Sequence, residues 1–156
     1  MKQRINAYEK GKGALQALYG LGIYLSKSPV EKSLLNLIYY RVSQINGCAY
    51  CLDMHAKDLR AAGETEQRLY VLDAWRETPL YSDRERAALA WAEAVTKITN
   101  GHVPDEVYEE ASKQFSEQEL IDLTLAVTTI NTYNRLNIAF AVQGGSYKVG
   151  QHEVAL

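Results

Sequence analysis

The sequence predicts an all-α fold, and three observations lead to this class. Apolar residues recur every three and four positions along most of the chain, which is the spacing of one buried helix face. The 156 residues include only three prolines and ten glycines, so there are few places for turns. Capping patterns precede several apolar runs, whereas no stretch alternates apolar and polar residues as a half-buried strand does.

Periodicity and break signals together divide the chain into seven predicted helices. The pattern is clear at Leu34, Ile38 and Val42, which fall on one helix face. Glycine, asparagine and proline mark the breaks at Asn46-Gly47, Gly63, Thr78-Pro79 and Asn100-Gly101. The predicted helices span residues 7–26, 29–45, 48–62, 65–77, 83–99, 104–115 and 117–142.

Helix starts are predicted from capping boxes, in which a serine and a glutamate three positions later satisfy each other's backbone amides. The pattern occurs at Ser28 with Glu31, Ser82 with Glu85, and Ser116 with Glu119. Pro104 followed by two acidic residues predicts a further start, because acids favour the positive end of the helix dipole.

Length and charge fit one globular domain over residues 1–156, with a core at about 30–142 and a loosely held polar tail at 143–156. The balance of 17 basic and 19 acidic residues gives no indication of binding to nucleic acid or an anionic membrane. No signal peptide or membrane-spanning run is evident. We therefore expect a cytoplasmic protein whose two cysteines rest reduced.

A shift of 85 positions aligns parts of the two halves of the chain. It sets Leu35, Val42, Ile45, Asn46 and Ala56 against Leu120, Val127, Ile130, Asn131 and Ala141. This echo indicates an internal two-fold repeat of helix–break–helix units, with chance coincidence as the alternative. Tyr133 and Leu136 would occupy the cysteine positions of the second unit.

The segment Cys48-Ala49-Tyr50-Cys51-Leu52-Asp53-Met54-His55 carries the chemistry of the chain. On a helix, spacings of three and four place Cys48, Cys51 and His55 on one face. Asn46 is the expected cap, which puts the cysteines in the first turn. Backbone amides and the helix dipole there favour a thiolate, and such cysteines have pKa values of roughly 3.5–7.5.

These residues predict two-electron thiol chemistry without a bound cofactor. Cys51 is the expected attacking sulfur and becomes a sulfenic acid, which Cys48 resolves to a disulfide. His55 is placed to take the thiol proton.

Two other interpretations of the segment remain open, a buried unreactive pair and a metal site made by the same three residues. Structural zinc needs four ligands, and His102 and His152 lie far away in sequence. This counts against a structural zinc site more than against a catalytic one, which takes three protein ligands and a water. The site that we predict is the thiol pair, with no metal.

The stretch Arg41 to Cys51, followed by Asp53-Met54-His55, resembles the alkylhydroperoxidase D-like (AhpD-like) branch of the carboxymuconolactone decarboxylase family. The similarity extends through segments 61–64, 74–78, 82–93 and 129–137, so it covers roughly residues 30–141. This resemblance implies an AhpD-like all-helical domain that assembles into trimers or hexamers and reduces hydroperoxides through the cysteine pair. It also implies that the internal echo is a duplication.

The chain departs from the family pattern at two positions. The family motif has a proton-relaying glutamate twelve positions before the first cysteine, where this chain has Asn36, which cannot take up a proton as a carboxylate does. The family's best known member has histidine before the second cysteine, where this chain has Tyr50.

Several nearby residues are candidates for relay or pocket roles around the cysteines. Asp58 could orient the His55 ring, and Asn46 could have a polar role beside the sulfurs. Tyrosine hydroxyls could donate hydrogen bonds but are poor bases near neutral pH. The tyrosine candidates are Tyr39, Tyr40 and Tyr50.

The predicted function is a peroxidase that reduces hydroperoxides through Cys48 and Cys51 and is then regenerated by a dithiol partner. In the family that partner is lipoyl-bearing or thioredoxin-like. General dithiol–disulfide exchange is one alternative, which Asn36 favours because the relay glutamate is missing. A non-enzymatic redox sensor or adaptor is the other.

Overall fold

The computed structural model describes residues 2–151, apart from the side chain of Asn100, and this part of the chain is helical with no strand. The all-α prediction is therefore confirmed. The α-helices are α1 (Ala7–Lys10), α2 (Lys12–Leu25), α3 (Lys32–Asn46), α4 (Ala49–Ala61), α5 (Glu66–Tyr70), α6 (Asp83–Thr96), α7 (Asp105–Gln114) and α8 (Glu117–Ala139). Two 3₁₀ helices span Leu72–Glu77 and Ile98–Asn100.

Capping boxes start α6 and α8 as predicted. The Ser82 and Ser116 hydroxyls each accept a backbone N–H three positions ahead at 3.3 Å, and the glutamate there returns the contact. The box predicted at Ser28 is wrong, because α3 begins only at Lys32 and has no side-chain cap. The Ser28 hydroxyl instead donates to Asp122 Oδ2 on α8, at 2.5 Å.

Four predicted helices are shorter or more broken than expected. The helix predicted at 7–26 is interrupted at Gly11, where glycine gives up the most backbone freedom on becoming helical. The helix predicted at 65–77 becomes α5 and a 3₁₀ helix, with non-helical dihedrals at Ala74. The helices predicted at 83–99 and 117–142 end earlier, at Thr96 and Ala139.

The core forms around α3 and α8, which pack against each other. α3 also contacts α4 and α6, and α8 also contacts α2, α6 and α7. Fully buried aliphatic side chains fill the space between these helices, among them Ile38 and Val42 of α3, Leu89 of α6 and Leu123 of α8. This arrangement fixes the end of α3 and the start of α4, where the cysteines lie, against the middle of α8.

A buried charged cluster, Arg41–Glu93, joins α3, α6 and the first 3₁₀ helix. Arg41 Nε and Nη2 donate to Glu93 Oε1 at 2.9 and 2.7 Å, and Trp75 Nε1 donates to the same oxygen at 2.9 Å. Arg76 donates to Glu93 Oε2 at 2.6 Å, while Arg41 also contacts Asp73. Burial alone raises the pKa of Glu93, but these donors outweigh it and hold the pKa below its usual value.

The C-terminal segment at 143–151 is tied to α4, so the prediction of a loosely held tail is wrong for this part. The backbone N–H groups of Gly145 and Tyr147 donate to Asp53 Oδ2 at 2.8 and 3.3 Å. Tyr147 itself is only 5% exposed. The remainder of the predicted tail, 152–156 with His152, lies outside the described residues.

The predicted internal repeat is not confirmed. The first unit breaks at Gly47, whereas α8 continues without a break through the matching positions at Thr132 and Tyr133. Within residues 2–151, no helix combines the length and apolar character needed to cross a membrane.

Candidate active site

The turn between α3 and α4 positions the cysteine pair. Gly47 ends α3 in the left-handed region, at φ 67°, and Cys48 follows as the extended N-cap of α4. The Cys48 sulfur accepts from the Cys51 backbone N–H at 3.4 Å, which closes the first turn. Cys51 therefore lies at a helix start, as predicted, and the neighbouring amides favour a thiolate there.

Asn46 does not cap α4, so that prediction is wrong. It is the last residue of α3, and its Nδ2 donates to Asn131 Oδ1 at 2.9 Å and Asn134 Oδ1 at 2.8 Å. Asn134 in turn donates to the Ser43 hydroxyl at 3.0 Å. Asn46 thus fastens the end of α3 to α8 just before the cysteines.

The two sulfurs lie at near-disulfide distance, with the Cα atoms 5.4 Å apart. Cys48 and Cys51 are each 1% exposed. Asn137 on α8 donates through Nδ2 to Cys51 Sγ at 3.3 Å. An amide donor here stabilises negative charge on that sulfur, because hydrogen bonding to the charged form lowers a pKa.

Cys51, but not Cys48, faces a cavity beside the pair. The cavity contains about 520 Å³ of empty space, part of it open to solvent. Its walls are mostly aromatic and aliphatic. The lining residues are Tyr8, Tyr19, Tyr39, Tyr50, Cys51, Met54, His55, Thr129, Ile130, Tyr133 and Asn137.

His55 lies one helical turn after Cys51 and lines the same cavity. Neither ring nitrogen has a hydrogen-bond partner among the described residues. Complete burial lowers the pKa of His55 to about 3, so the imidazole is neutral around pH 7. The Tyr39 ring packs beside it, with centroids 5.4 Å apart and a tilt of 41°.

Two hydroxyls of α8 also lack partners within the described part of the chain. They are Thr129 Oγ1 and Tyr133 Oη, both of which are buried and belong to residues that line the cavity. Burial raises the pKa of Tyr133 to about 12, so its hydroxyl stays protonated and available as a donor. With Asn137, these residues form a polar stripe at every fourth position of α8.

Sequence reasoning missed this α8 stripe as part of the site. Its members fell within segment 129–137, which was singled out for its resemblance to the family, and Tyr133 was also noted as the counterpart of Cys48 in the internal echo. The spacing of four among Thr129, Tyr133 and Asn137 was a visible signal, because it places three polar side chains on one helix face.

The structure brings some of the predicted site residues together and leaves others apart. Tyr39, Tyr50, Cys51 and His55 line the cavity, and Cys48 adjoins it through Cys51. Among the described residues, the cavity lining does not include four of the candidates, Asn36, Tyr40, Asn46 and Asp58.

Asp58, a candidate for orienting the His55 ring, does not hydrogen-bond to it. Both oxygens of Asp58 accept from the Tyr147 hydroxyl at 3.0 Å, and no hydrogen-bond partner within residues 2–151 holds the imidazole. Asp58 therefore secures the C-terminal segment rather than the candidate base. Over residues 2–151, no group of three or more histidine, cysteine, aspartate or glutamate side chains is arranged to hold a metal ion.

The all-helical fold, with two cysteines at the turn between α3 and α4, agrees with the protein family that comparison with known sequences identifies. The model of the carboxymuconolactone decarboxylase family matches residues 12–94, and the chain belongs to this family. The uncharacterized protein YdfG of Bacillus subtilis is 40% identical over 146 residues, which cover 94% of this chain and 99% of YdfG.

Two further relatives carry names that refer to peroxide or antioxidant chemistry. A crystal structure of a protein of unknown function from Agrobacterium tumefaciens, provisionally assigned as the antioxidant defence protein AhpD, is 40% identical. It matches 94% of this chain and 100% of that chain, with a TM-score of 0.89. Alkyl hydroperoxide reductase AhpD of Mycobacteroides abscessus is 40% identical over 75 residues, 44% of this chain and 42% of that protein. These relatives confirm the AhpD-like resemblance.

Proposed function

We propose that this protein is a thiol-dependent peroxidase that reduces organic hydroperoxides through Cys51 and Cys48. One observation carries the proposal: the Cys51 sulfur, at a helix start and hydrogen-bonded by Asn137, faces the largely apolar cavity, while Cys48 lies within disulfide reach behind it. A hydroperoxide that enters the cavity meets Cys51 first.

In the first step, the Cys51 thiolate attacks one oxygen of the hydroperoxide and the O–O bond breaks. Sulfur is oxidised to a sulfenic acid, and the second oxygen leaves as an alcohol after taking up a proton. His55 accepts that proton from the thiol and passes it to the leaving oxygen. A thiolate beside the neutral ring raises the pKa of the imidazole, so proton acceptance accompanies thiolate formation.

In the second step, the Cys48 thiol condenses with the Cys51 sulfenic acid. An S–S bond forms and water leaves. A dithiol reductant then returns both cysteines to thiols and becomes a disulfide itself. A lipoyl-bearing or thioredoxin-like protein fits this chemistry, and a reducing compartment such as the cytoplasm would keep the pair ready.

The first test is the reaction of the reduced protein with a small excess of cumene hydroperoxide, followed by free-thiol titration and intact mass. We expect the loss of both thiols and of about two mass units, faster than for dithiothreitol at equal thiol concentration. Cys51→Ser should abolish the reaction. Cys48→Ser should leave a sulfenic acid that dimedone traps, and the double variant is the control.

Two results would contradict this proposal in different ways. If Cys48→Ser is inert and Cys51→Ser yields the dimedone adduct, the roles of the two cysteines are reversed. If the wild-type protein reacts no faster than dithiothreitol, the peroxidase function fails.

General dithiol–disulfide exchange is the second candidate function, and Asn36 favours it. This residue is half-buried on α3, outside the cavity lining within the described residues, and it supplies no carboxylate for a proton relay. Rapid reduction of a small disulfide by the dithiol form, without rapid peroxide consumption, would support exchange. Oxidation that changes only the assembly state would instead support a redox sensor.

Homo-oligomer formation remains part of the proposal. Tyr108 of α7 and Ile121 of α8 are 52% and 63% exposed and border an open, largely apolar groove between these helices. A trimer or hexamer would remove such apolar surface from water.

A further inference from the structure

We propose that Thr129 and Tyr133 form the head-group subsite of the cavity and hold the two oxygens of a bound hydroperoxide. This assignment rests on the proposed function and adds two residues of α8 to it. The carrying observation is that both hydroxyls are buried, line the cavity with Cys51 and have no partner among the described residues.

Thr129 differs from every other threonine of α8. Thr124, Thr128 and Thr132 each donate to a backbone carbonyl of the preceding turn, at 2.7 to 3.0 Å. Such back-bonding is the ordinary way for a threonine hydroxyl to be satisfied within a helix. Thr129, which is 2% exposed, has no such bond, so its hydroxyl is free for a ligand in the cavity.

Tyr133 follows one helical turn later and presents a second hydroxyl to the same space. Side chains four positions apart on a helix are neighbours, so the two hydroxyls can address adjacent atoms of one small group. Burial of a polar atom without a hydrogen-bond partner costs free energy, and a ligand that forms this hydrogen bond offsets the cost. A hydroperoxide offers acceptors on two bonded oxygens and one O–H donor, which matches a pair of hydroxyls beside a neutral imidazole.

The remaining walls of the cavity determine which organic group of a hydroperoxide fits. Tyr39, Tyr50, Ile130 and Met54 are side chains with apolar surface around the polar centre. An aromatic or branched alkyl group would fill this space, since aromatic rings prefer offset or edge-to-face contacts with one another. The subsite thus orients the O–O bond, while the walls hold the organic group.

Ligand binding tests the assignment without requiring turnover. 2-Phenyl-2-propanol, the alcohol formed from cumene hydroperoxide, would be titrated into the oxidised protein and followed by ligand-observed NMR. Thr129→Val and Tyr133→Phe each remove one hydroxyl with little change in shape. We expect each to raise the Kd about five- to tenfold, the loss typical of one hydrogen bond.

Matched variants separate the subsite from a general structural effect. Thr132→Val removes a hydroxyl that donates to Thr128 O, and Tyr70→Phe removes one from a tyrosine that is 70% exposed on α5. Both should bind the alcohol as the wild type does. In single-turnover reactions with cumene hydroperoxide, the cavity variants should be slower by a similar factor, while iodoacetamide should alkylate Cys51 at an unchanged rate.

The outcomes distinguish this inference from the proposed function. If the two cavity variants bind the alcohol as tightly as the wild type, or if the wild type does not bind it, the subsite assignment is wrong. A parallel loss of iodoacetamide reactivity would also overturn it, because the hydroxyls would then act on the sulfur. If binding depends on both hydroxyls but no variant or wild-type protein consumes peroxide, the peroxidase function fails while the binding site stands.

Discussion

Buried polar groups occur in two contrasting settings in this molecule. In the Arg41–Glu93 cluster, both carboxylate oxygens of Glu93 accept hydrogen bonds, from Arg41 and Trp75 on one oxygen and Arg76 on the other. In the cavity beside Cys51, by contrast, both nitrogens of His55 lack a partner among the described residues. Both carboxylate oxygens of the Arg41–Glu93 cluster therefore have hydrogen-bond partners, whereas the His55 nitrogens in the cavity have none within the described residues.

This difference distinguishes buried polar groups that stabilise the fold from buried polar groups that are available for chemistry or ligand binding. A satisfied buried ion pair holds helices together, and removing one member leaves the other uncompensated. Open polar atoms stabilise nothing in the folded chain, and each one costs free energy until a partner arrives. Substitution in the first cluster should therefore lower stability, whereas substitution in the cavity should mainly change chemistry and ligand binding.

The largest expected effect is on stability, from Glu93→Gln. The substitution keeps the size of the side chain but removes the charge that faces Arg41, so the free energy of unfolding should fall by about 3 kcal/mol or more. Urea denaturation measures the change. Thiol reactivity of the folded protein should remain near the wild-type level.

Glu110→Gln is the matched control for that measurement. Glu110 pairs with Lys113 on the surface of α7, where both side chains are more than half exposed. Exposed pairs contribute less than about 1 kcal/mol. Equal losses from the two substitutions would show that the buried cluster is not a structural centre.

A second prediction concerns His55 and the dependence of stability on pH. The folded pKa of about 3 lies below the ordinary value of 6.5, so between these values the unfolded chain binds a proton that the folded chain does not. Stability should consequently fall as pH falls through this window, by about 1.6 kcal/mol between pH 6.5 and 5. Denaturant titrations at several pH values measure the slope.

His55→Asn should remove this contribution and flatten the profile relative to the wild type. His102→Asn, a change at an exposed histidine, is the matched control and should keep the wild-type slope. If the profiles of wild type and His55→Asn stay parallel down to pH 5, His55 takes up a proton in the folded protein and its burial does not govern its titration.

Local signals in the sequence were sufficient for much of the fold. The capping boxes at Ser82 and Ser116 operate between residues three positions apart, so their chemistry is visible in a short window. The Gly47 break was equally local, because few other residues adopt the left-handed conformation that ends α3. The cysteine turn was placed correctly for the same reason.

Such local signals could not predict contacts between residues that are far apart in the sequence. Ser28 has the same local pattern as the working capping boxes, but its hydroxyl bonds to Asp122, 94 positions away. The hydrogen bond from Asn137 to Cys51 spans 86 positions. Only the packing of α8 against α3 and α4 brings such pairs together. The spacing of four on α8 indicated a polar helix face, but periodicity could not show that this face meets the cysteines.

The smallest expected effect concerns the reactivity of the Cys51 sulfur and the amide donor beside it. Asn137→Leu keeps a side chain of similar size but removes the donor 3.3 Å from Cys51 Sγ. The pKa of the Cys51 thiol should rise, and alkylation by iodoacetamide in a Cys48→Ser background should slow about five- to tenfold at pH 7. The pH profile of alkylation measures both changes.

Asn36→Leu is the matched control, because Asn36 stands where the family has its relay glutamate and lies outside the described cavity lining. It should leave the alkylation profile unchanged. A slower rate in Asn137→Leu without a shift of the profile would mean that the amide positions the sulfur rather than stabilising its charge. If Asn36→Leu shifts the profile as far as Asn137→Leu does, control of the Cys51 thiolate extends through α3, and the division between a satisfied structural cluster and an open functional one must be redrawn.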